Sequence, residues 1–325
     1  MAQSILSDKH FHNEAAAYAF VEARVWANGV TCPHCGNADE AKIGKLAGNS
    51  TRIGVRKCYA CRKPFTVKVG TIFESSHVAL RFWLQAIYLI ASSKKGVSSQ
   101  QLHRTLGVTL KTAWFMAHRI REAMRDGNLG PMGGAGSTVE ADETYYGPAD
   151  NQEPRERSKY DAPRTGGQRK PGYYKRPILG LVERGGKVRT FHIAQATKEN
   201  VAKLVTENVH HESALMTDES NLYKEVGKTF ASHDSTKHSA DEYVRYEGDK
   251  VIHSNTIENY FSVFKRGMRG VYQHCGEKHL HRYLAEFDFR YNNRIGLGVD
   301  DQQRADGILT GAVGKRLTYE TTSAR

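Results

Sequence analysis

Between His253 and Arg269 the apolar residues Ile257, Phe261, Phe264 and Met268 recur at i, i+4, i+7 and i+11, which predicts a helix with one face against a core. The adjoining stripe carries Glu258, Ser262, Lys265 and Arg269, an arrangement suited to an acid that ligates metal beside a cation that holds phosphate. Helical spacing recurs over 11–27, Val78–Ser92, Ser98–Leu106 and Asn200–Val209, and over Lys278–Tyr291 with Leu280, Tyr283, Leu284 and Phe287 inward. Gly107 permits a tight turn after Leu106, and Thr109 caps a longer helix to Met124 with Ala113, Met116, Ala117, Ile120 and Met124 at core positions. That pair predicts a helix-turn-helix whose second helix presents Lys111, Thr112, Phe115 or Arg119 to a major groove; an ordinary helical hairpin is the plainer alternative.

Alternation predicts a strand over Phe65–Phe73, a second over 138–146, a hairpin of Ile178–Glu183 and Lys187–Ile193 about Arg184-Gly185-Gly186, and a short strand Ala214–Thr217. Residues 126–137 are glycine-rich and aperiodic, and 147–177 are rich in Pro, Gly, Arg and Lys, so a linker and an exposed basic loop are expected. Within that loop Arg169, Lys170, Lys175 and Arg176, and on the later helix Arg266 and Arg269, are candidate DNA contacts. The expected plan is a zinc ribbon with an amino-terminal helix (1–75), a helix-turn-helix segment (76–126), a linker (127–137), a catalytic domain (138–295) and an uninformative polar tail (296–325).

Charge narrows the function. The 325 residues hold 47 Lys and Arg against 35 Asp and Glu, a formal net charge of +12, which favours a polyanionic partner over an acidic metabolite. The amino end lacks a basic start followed by an apolar run, and the most apolar segment, Phe82–Ala91, is about half a bilayer crossing, so no membrane role and a cytoplasmic location are expected. Four of the five cysteines form Cys32-Pro-His-Cys35 and Cys58-Tyr-Ala-Cys61, 22 residues apart, a spacing that predicts one structural Zn²⁺ in a ribbon. His34 lies between the ligands and is expected at the surface or behind them, and Cys275 is expected to be an unpaired thiol.

The order of strand with Asp142, hairpin, helix, strand delivering Asp218, then helix with Glu258 matches an α/β ribonuclease-H-like sheet that gathers three carboxylates at one end. Each acid also has an innocent role: Asp142 in a strand-end turn, Asp218 capping a helix from Ser220, and Glu258 reaching back to Asn255. If they converge, hard oxygen ligands select Mg²⁺ or Mn²⁺, and two such ions suit in-line phosphoryl transfer. His233, His238, His253, Asn255 and Lys265 are candidates for orienting phosphate or water.

Together, Cys-Pro-His-Cys-Gly, Cys-Tyr-Ala-Cys-Arg, Gly70-Thr-Ile-Phe-Glu, Lys111-Thr-Ala-Trp, Glu140-Ala-Asp-Glu-Thr-Tyr, His253-Ser-Asn-Thr-Ile-Glu and Lys278-His-Leu-His-Arg-Tyr resemble the zinc-ribbon DDE-type transposases of bacterial insertion sequences. The resemblance implies a ribonuclease-H-like catalytic domain, divalent metal, double-stranded DNA partners (terminal inverted repeats and target), and cleavage followed by strand transfer by a protein at least dimeric on DNA. It puts the acid triad on Asp142, Asp218 and Glu258 and the trailing lysine on Lys265. Family members differ in carrying Asn or Glu third; Glu258, with its charged oxygen and its line to Lys265, is favoured, and Asn255 stands behind it. A DNA-binding regulator without catalysis, or a nuclease that cuts without joining, would use many of the same parts.

Overall fold

Asn13 accepts the Ala16 amide and starts α1 (Glu14–Val25). The structure, a computed structural model, describes residues 4–318 apart from 128, 149–174, 237–241 and 249. Next come β1 (Ile43–Lys45), β2 (Arg56–Cys58), β3 (Pro64–Phe65), α2 (Leu80–Ser92), α3 (Ser99–Leu106) and α4 (Leu110–Met124). β4 (Thr138–Pro148), β5 (Lys175–Glu183), β6 (Val188–His192), α5 (Lys198–Asn208), β7 (Ala214–Asp218), α6 (Lys224–Gly227) and β8 (Ser232–Thr236) follow. β9 (Arg245–Glu247), β10 (Lys250–Ile252), α7 (Asn255–Gly267), α8 (Leu280–Asn292) and α9 (Asp301–Thr310) complete the order. Among the described residues no helix is long and apolar enough to cross a membrane.

The chain divides into two compact units, Met1–Asp126 with Asn293–Arg325, and Gly127–Asn292. In the first, β1, β2 and β3 form an antiparallel sheet. The strand expected over Phe65–Phe73 stops at Phe65. Beyond it Gly70 takes φ +75° and the Thr71 hydroxyl bonds the Lys68 carbonyl, so Val67, Ile72 and Phe73 are buried by turns rather than by pleating. α3 and α4 meet at Gly107, in the left-handed region at φ +66°, and Thr109 accepts the Thr112 amide to cap α4. α2 begins after Ala79, which offers no side-chain cap; the Glu14 carboxylate accepts the Leu80 and Arg81 amides instead. The tail is not the featureless segment expected: an Asp300 and Gln303 capping box starts α9, and Ala305, Ile308 and Leu309 are buried. Arg304, also buried, donates to the carbonyls of Ala91 and Asn293 and ties this helix into the unit.

The second unit holds a five-stranded mixed sheet in the order β6-β5-β4-β7-β8, antiparallel from β6 to β4 and parallel from β4 to β8. Side-chain alternation sorts its two faces. Val139, Ala141, Leu179, Leu181 and Leu215 pack with Val201 and Val205 of α5. Ile178, Val182 and Val188 pack with the predicted stripe Ile257, Phe261, Phe264 and Met268 of α7, and with Leu280, Leu284 and Phe287 of α8. Gly180 lets α7 approach the sheet, since a Cβ there would lie 2.7 Å from both Ile257 and Phe261 side-chain carbons.

Two expectations need correction here, and one stretch went unassigned. The segment 127–137 is not a free linker: Met132 is buried, its amide donates to the Asn208 carbonyl, and its own carbonyl accepts the His210 amide. Of the basic loop expected over 147–177, residues 147 and 148 belong to β4 and 175–177 to β5, and the remainder lies outside the described residues. α6, β8, β9 and β10 occupy a stretch without clear periodicity; their strands are short, and β8 is half-buried on both faces.

Asp288 of α8 joins three elements, accepting the Thr190 amide and hydroxyl of β6 and the Tyr260 hydroxyl of α7 at 2.5–3.0 Å. Burial pushes its carboxyl up to about 6, against the pull of those donors. A folded-state value above the unfolded one means that the fold binds the proton more tightly, so stability is gained as pH falls through about 6 toward the ordinary carboxylate range. Urea unfolding of the native chain between pH 8 and about 4.5 is expected to show this gain, roughly 2–3 kcal/mol from this group. Asp288→Asn should flatten that portion, and an unchanged profile in the variant would refute the assignment.

Candidate active site and metal centre

Each Cys-x-x-Cys pair supplies half of a cage. Cys32 Sγ lies 3.7 Å from Cys61 Sγ and Cys35 Sγ 3.8 Å from Cys58 Sγ, and all four sulfurs fall within 4.8 Å of one another. A tetrahedron with Zn–S bonds of about 2.3 Å has sulfur-to-sulfur edges of about 3.8 Å, so the cage fits a structural Zn²⁺. Phe65, Ile43 and Trp26 pack against it, and His34 turns away to the Pro64 carbonyl at 3.2 Å. This small sheet has little else to hold it, which is why closed thiolate sites contribute folding energy.

The second cluster is built by strand register. The last β4–β7 pair is Glu140 with Met216; two residues farther along both strands come Asp142 and Asp218, on adjacent parallel strands and on the face that α7 covers. Burial, then the charges of Asp218 and Glu143, then that of Glu258, push the Asp142 carboxyl up to about 8. Those four acids therefore share one electrostatic neighbourhood. They do not close as the cysteines do, for among the described residues only the four cysteines form a group of three or more such ligand atoms all within 4.8 Å. Carboxylates about 4 Å apart repel by about 4 kcal/mol even at an effective dielectric of 20, so acids that share a site persist as anions only with cations among them. The donor set, hard oxygens beside a half-buried lysine, fits Mg²⁺ or Mn²⁺ rather than zinc.

The neighbours of these acids differ from the innocent roles set out above. Asp142 is internal to β4 rather than at its end, and Asp218 Oδ1 accepts the Ser220 amide in a turn, with no helix until Lys224. Glu258 Oε1 accepts the Ser254 hydroxyl at 2.7 Å instead of reaching Asn255, which is exposed in the first turn of α7. Lys265 is half-buried; desolvation lowers its ammonium from the usual range, while the Asp142 charge holds it up. Glu143, on the opposite face, accepts the buried Tyr223 hydroxyl at 2.6 Å. His233 is bonded to Thr217 Oγ1 at 2.9 Å, on the face away from Asp218, so it does not orient anything at the acids. His253 Nδ1 sits 3.1 Å from Glu140 Oε1.

Among the expected DNA contacts, Lys111, Lys175, Arg266 and Arg269 are exposed. Thr112 and Phe115 are half-buried, and the Thr112 hydroxyl is 2.8 Å from that of Thr109 in the α4 cap. Arg119 is a correction: it is buried, stacked over Phe115, and donates to the carbonyls of Ile72, Glu74 and Leu317, so it organises its unit instead of facing a groove. Arg176 is another, buried in β5 with its guanidinium on the Cys275 carbonyl. Arg169, Lys170 and His238 lie outside the described residues.

Comparison with known proteins decides the family. Residues 133–292 match the ISXO2-like transposase domain and residues 12–64 the transposase zinc-ribbon domain. The chain is 30% identical over 291 residues, 87% of its length and 92% of the relative's, to an uncharacterized protein in transposable element ISH50 of Halobacterium salinarum. The chain belongs to the zinc-ribbon transposases of insertion sequences. Among solved structures, this transposase resembles a chain of the Mos1 transposase paired-end complex with left transposon end, at TM-score 0.27 and 10% identity over 70% of this chain and 75% of that one. It also resembles a chain of the simian T-cell lymphotropic virus intasome in complex with PP2A regulatory subunit B56 gamma, at TM-score 0.28 and 14% identity over 57% and 63%.

The cysteine cage falls within the transposase's zinc-ribbon match, and Asp142, Asp218 and Glu258 within its transposase-domain match. Sequence reasoning passed over Glu140 and Arg184, whose side chains meet at 2.7 Å. The available signal was parity: Glu140 and Asp142 are two apart on one strand, hence on one face. For the cage, elemental analysis of the purified transposase is expected to return one zinc per chain. Cys58→Ala should lose it and expose the Ile43 to Phe65 region to protease, and full zinc retention in that variant would count against the four-sulfur site.

Proposed function

We propose that this transposase binds the terminal inverted repeats of its element and carries out metal-dependent DNA cleavage and strand transfer. The observation that carries the reading is the register that sets Asp142 and Asp218 side by side on parallel strands beneath the helix bearing Glu258. The strand order, three antiparallel strands continued by two parallel ones, supports a ribonuclease-H-like catalytic domain. α3 and α4, joined at Gly107, suit a helix-turn-helix that presents Lys111 to DNA, and a chain of net charge +12 suits phosphate binding.

Asp142, Asp218 and Glu258 would hold Mg²⁺ or Mn²⁺, which when bound activates water or a 3′-hydroxyl and neutralises charge during in-line phosphoryl transfer. The chain's own groups do the rest. Burial of Asp142 makes its carboxylate costly without a cation nearby, and so favours loading. The Ser254 hydroxyl fixes the rotamer of Glu258. Lys265 brings a positive charge to the same pocket, and exposed Arg266 and Arg269 continue that helix face toward phosphate. Asn255, exposed one turn before Glu258, would stand behind it without contacting its carboxylate.

Asp142→Asn should retain binding to end-bearing duplex within about twofold while cleavage falls by at least roughly 10³-fold, as loss of a metal-binding carboxylate does to metal-assisted transfer. Gel-shift and plasmid-cleavage assays read the two quantities. Unchanged cleavage would remove the catalytic assignment, and cutting by the native chain without joined product from pre-cleaved ends would make it a nuclease.

A further inference from the structure

Glu140 has no exposure to water, yet it is an acid. Its oxygens are fully engaged: Oε2 accepts the amides of Thr256 and Ile257 at 2.9 and 3.0 Å, and Oε1 accepts the Thr256 hydroxyl at 2.9 Å and Arg184 Nε at 2.7 Å. Those two amides belong to the first turn of α7, where the helix needs acceptors and favours negative charge. The position that ordinarily supplies a cap is Ser254, but its hydroxyl is turned to Glu258. The cap therefore comes from a strand 116 residues earlier. Arg184 completes the joint from the β5–β6 turn, donating also to the carbonyls of Val251 and His253 that lead into α7.

The placement matters because of what lies on either side. Asp142 is two residues from Glu140 on the same face of β4, and Glu258 is one position past Ile257 on α7. One side chain thus spans the gap between the elements that carry two of the three acids. We propose that Glu140 is a positioning residue that sets the separation of Asp142 and Glu258, and thereby the affinity of the site for its divalent ion. This rests on the metal-dependent reading of the acids given above. Glu140 touches neither DNA nor metal in it; Ser254, freed from capping, aims the Glu258 carboxylate.

The test is Mn²⁺ titration of the zinc-loaded full chain, read by water-proton relaxation, with stability measured separately by urea unfolding. Glu140→Gln keeps the size but removes the charge that Arg184 and the helix amides face. Glu140→Asp keeps the charge and shortens the tether, and carries the test if the Gln variant does not fold. Both should weaken Mn²⁺ binding roughly 10–100-fold, the range typical of residues that orient metal ligands, with end-DNA binding unchanged. Leu284→Ala, which loosens the same core far along α8, should lower stability and leave Mn²⁺ affinity of the folded chain as it was. Native Mn²⁺ affinity in the folded Glu140 variants, or an equal loss in Leu284→Ala, would overturn the proposal. Asp142→Asn separates this from the underlying reading: if it too binds Mn²⁺ as the native chain does, the metal site itself is wrong, whereas loss there with no change at Glu140 rejects only the positioning role.

Discussion

A buried carboxylate is tolerated only where donors surround it, and the second unit of this transposase is arranged about one. Glu140 sits under α7, and the helix it caps is the one whose apolar stripe closes one face of the sheet. Breaking such a buried pair by removing one partner typically costs about 3–5 kcal/mol, because the other charge is stranded. That cost fixes where the first turn of α7 can be, and with it the residues that follow. Gly180 belongs to the same constraint, since a Cβ there would press on the ends of the Ile257 and Phe261 side chains and make them shift.

The first unit solves a similar problem in the same way. α2 starts at a residue that cannot cap it, and Glu14 of α1 supplies two acceptors. In both places an acid distant in sequence fixes one element against another through a helix amino terminus, where backbone donors and the helix dipole both favour it. The ribbon uses metal instead. Its strands are two or three residues long, too little to hold themselves, and the cysteine cage takes the place of a core.

At the acid cluster, folding and function pull against each other. The charges of Asp218, Glu143 and Glu258 add to burial in raising the cost of ionising Asp142, while the chain as a whole is strongly basic. Under the function proposed, such a cluster would take up a cation, within a chain whose net positive charge favours polyanionic partners. Three of the charged groups around Asp142 are acids and one is the half-buried Lys265, whereas Glu140 nearby has its arginine.

Periodicity and ligand spacing were legible without coordinates because they are local. The stripe Ile257, Phe261, Phe264 and Met268, the turn at Gly107 with its Thr109 cap, and two Cys-x-x-Cys pairs each follow from the geometry of a few consecutive residues. Charged residues misled where partners were distant. Arg119 and Arg176 look like surface cations in the sequence, and only the folded chain supplies the backbone carbonyls that allow them to be buried. The polar tail concealed α9 because its few apolar residues find their partners on α2 and α4 rather than within the segment. What the sequence by itself determined was which stretches would be amphipathic, which sulfurs would cage zinc, and which acids were candidates. Only the tertiary structure decided that Glu140, not Ser254, would cap α7, because that choice depends on a strand register and a helix meeting across more than a hundred residues of chain.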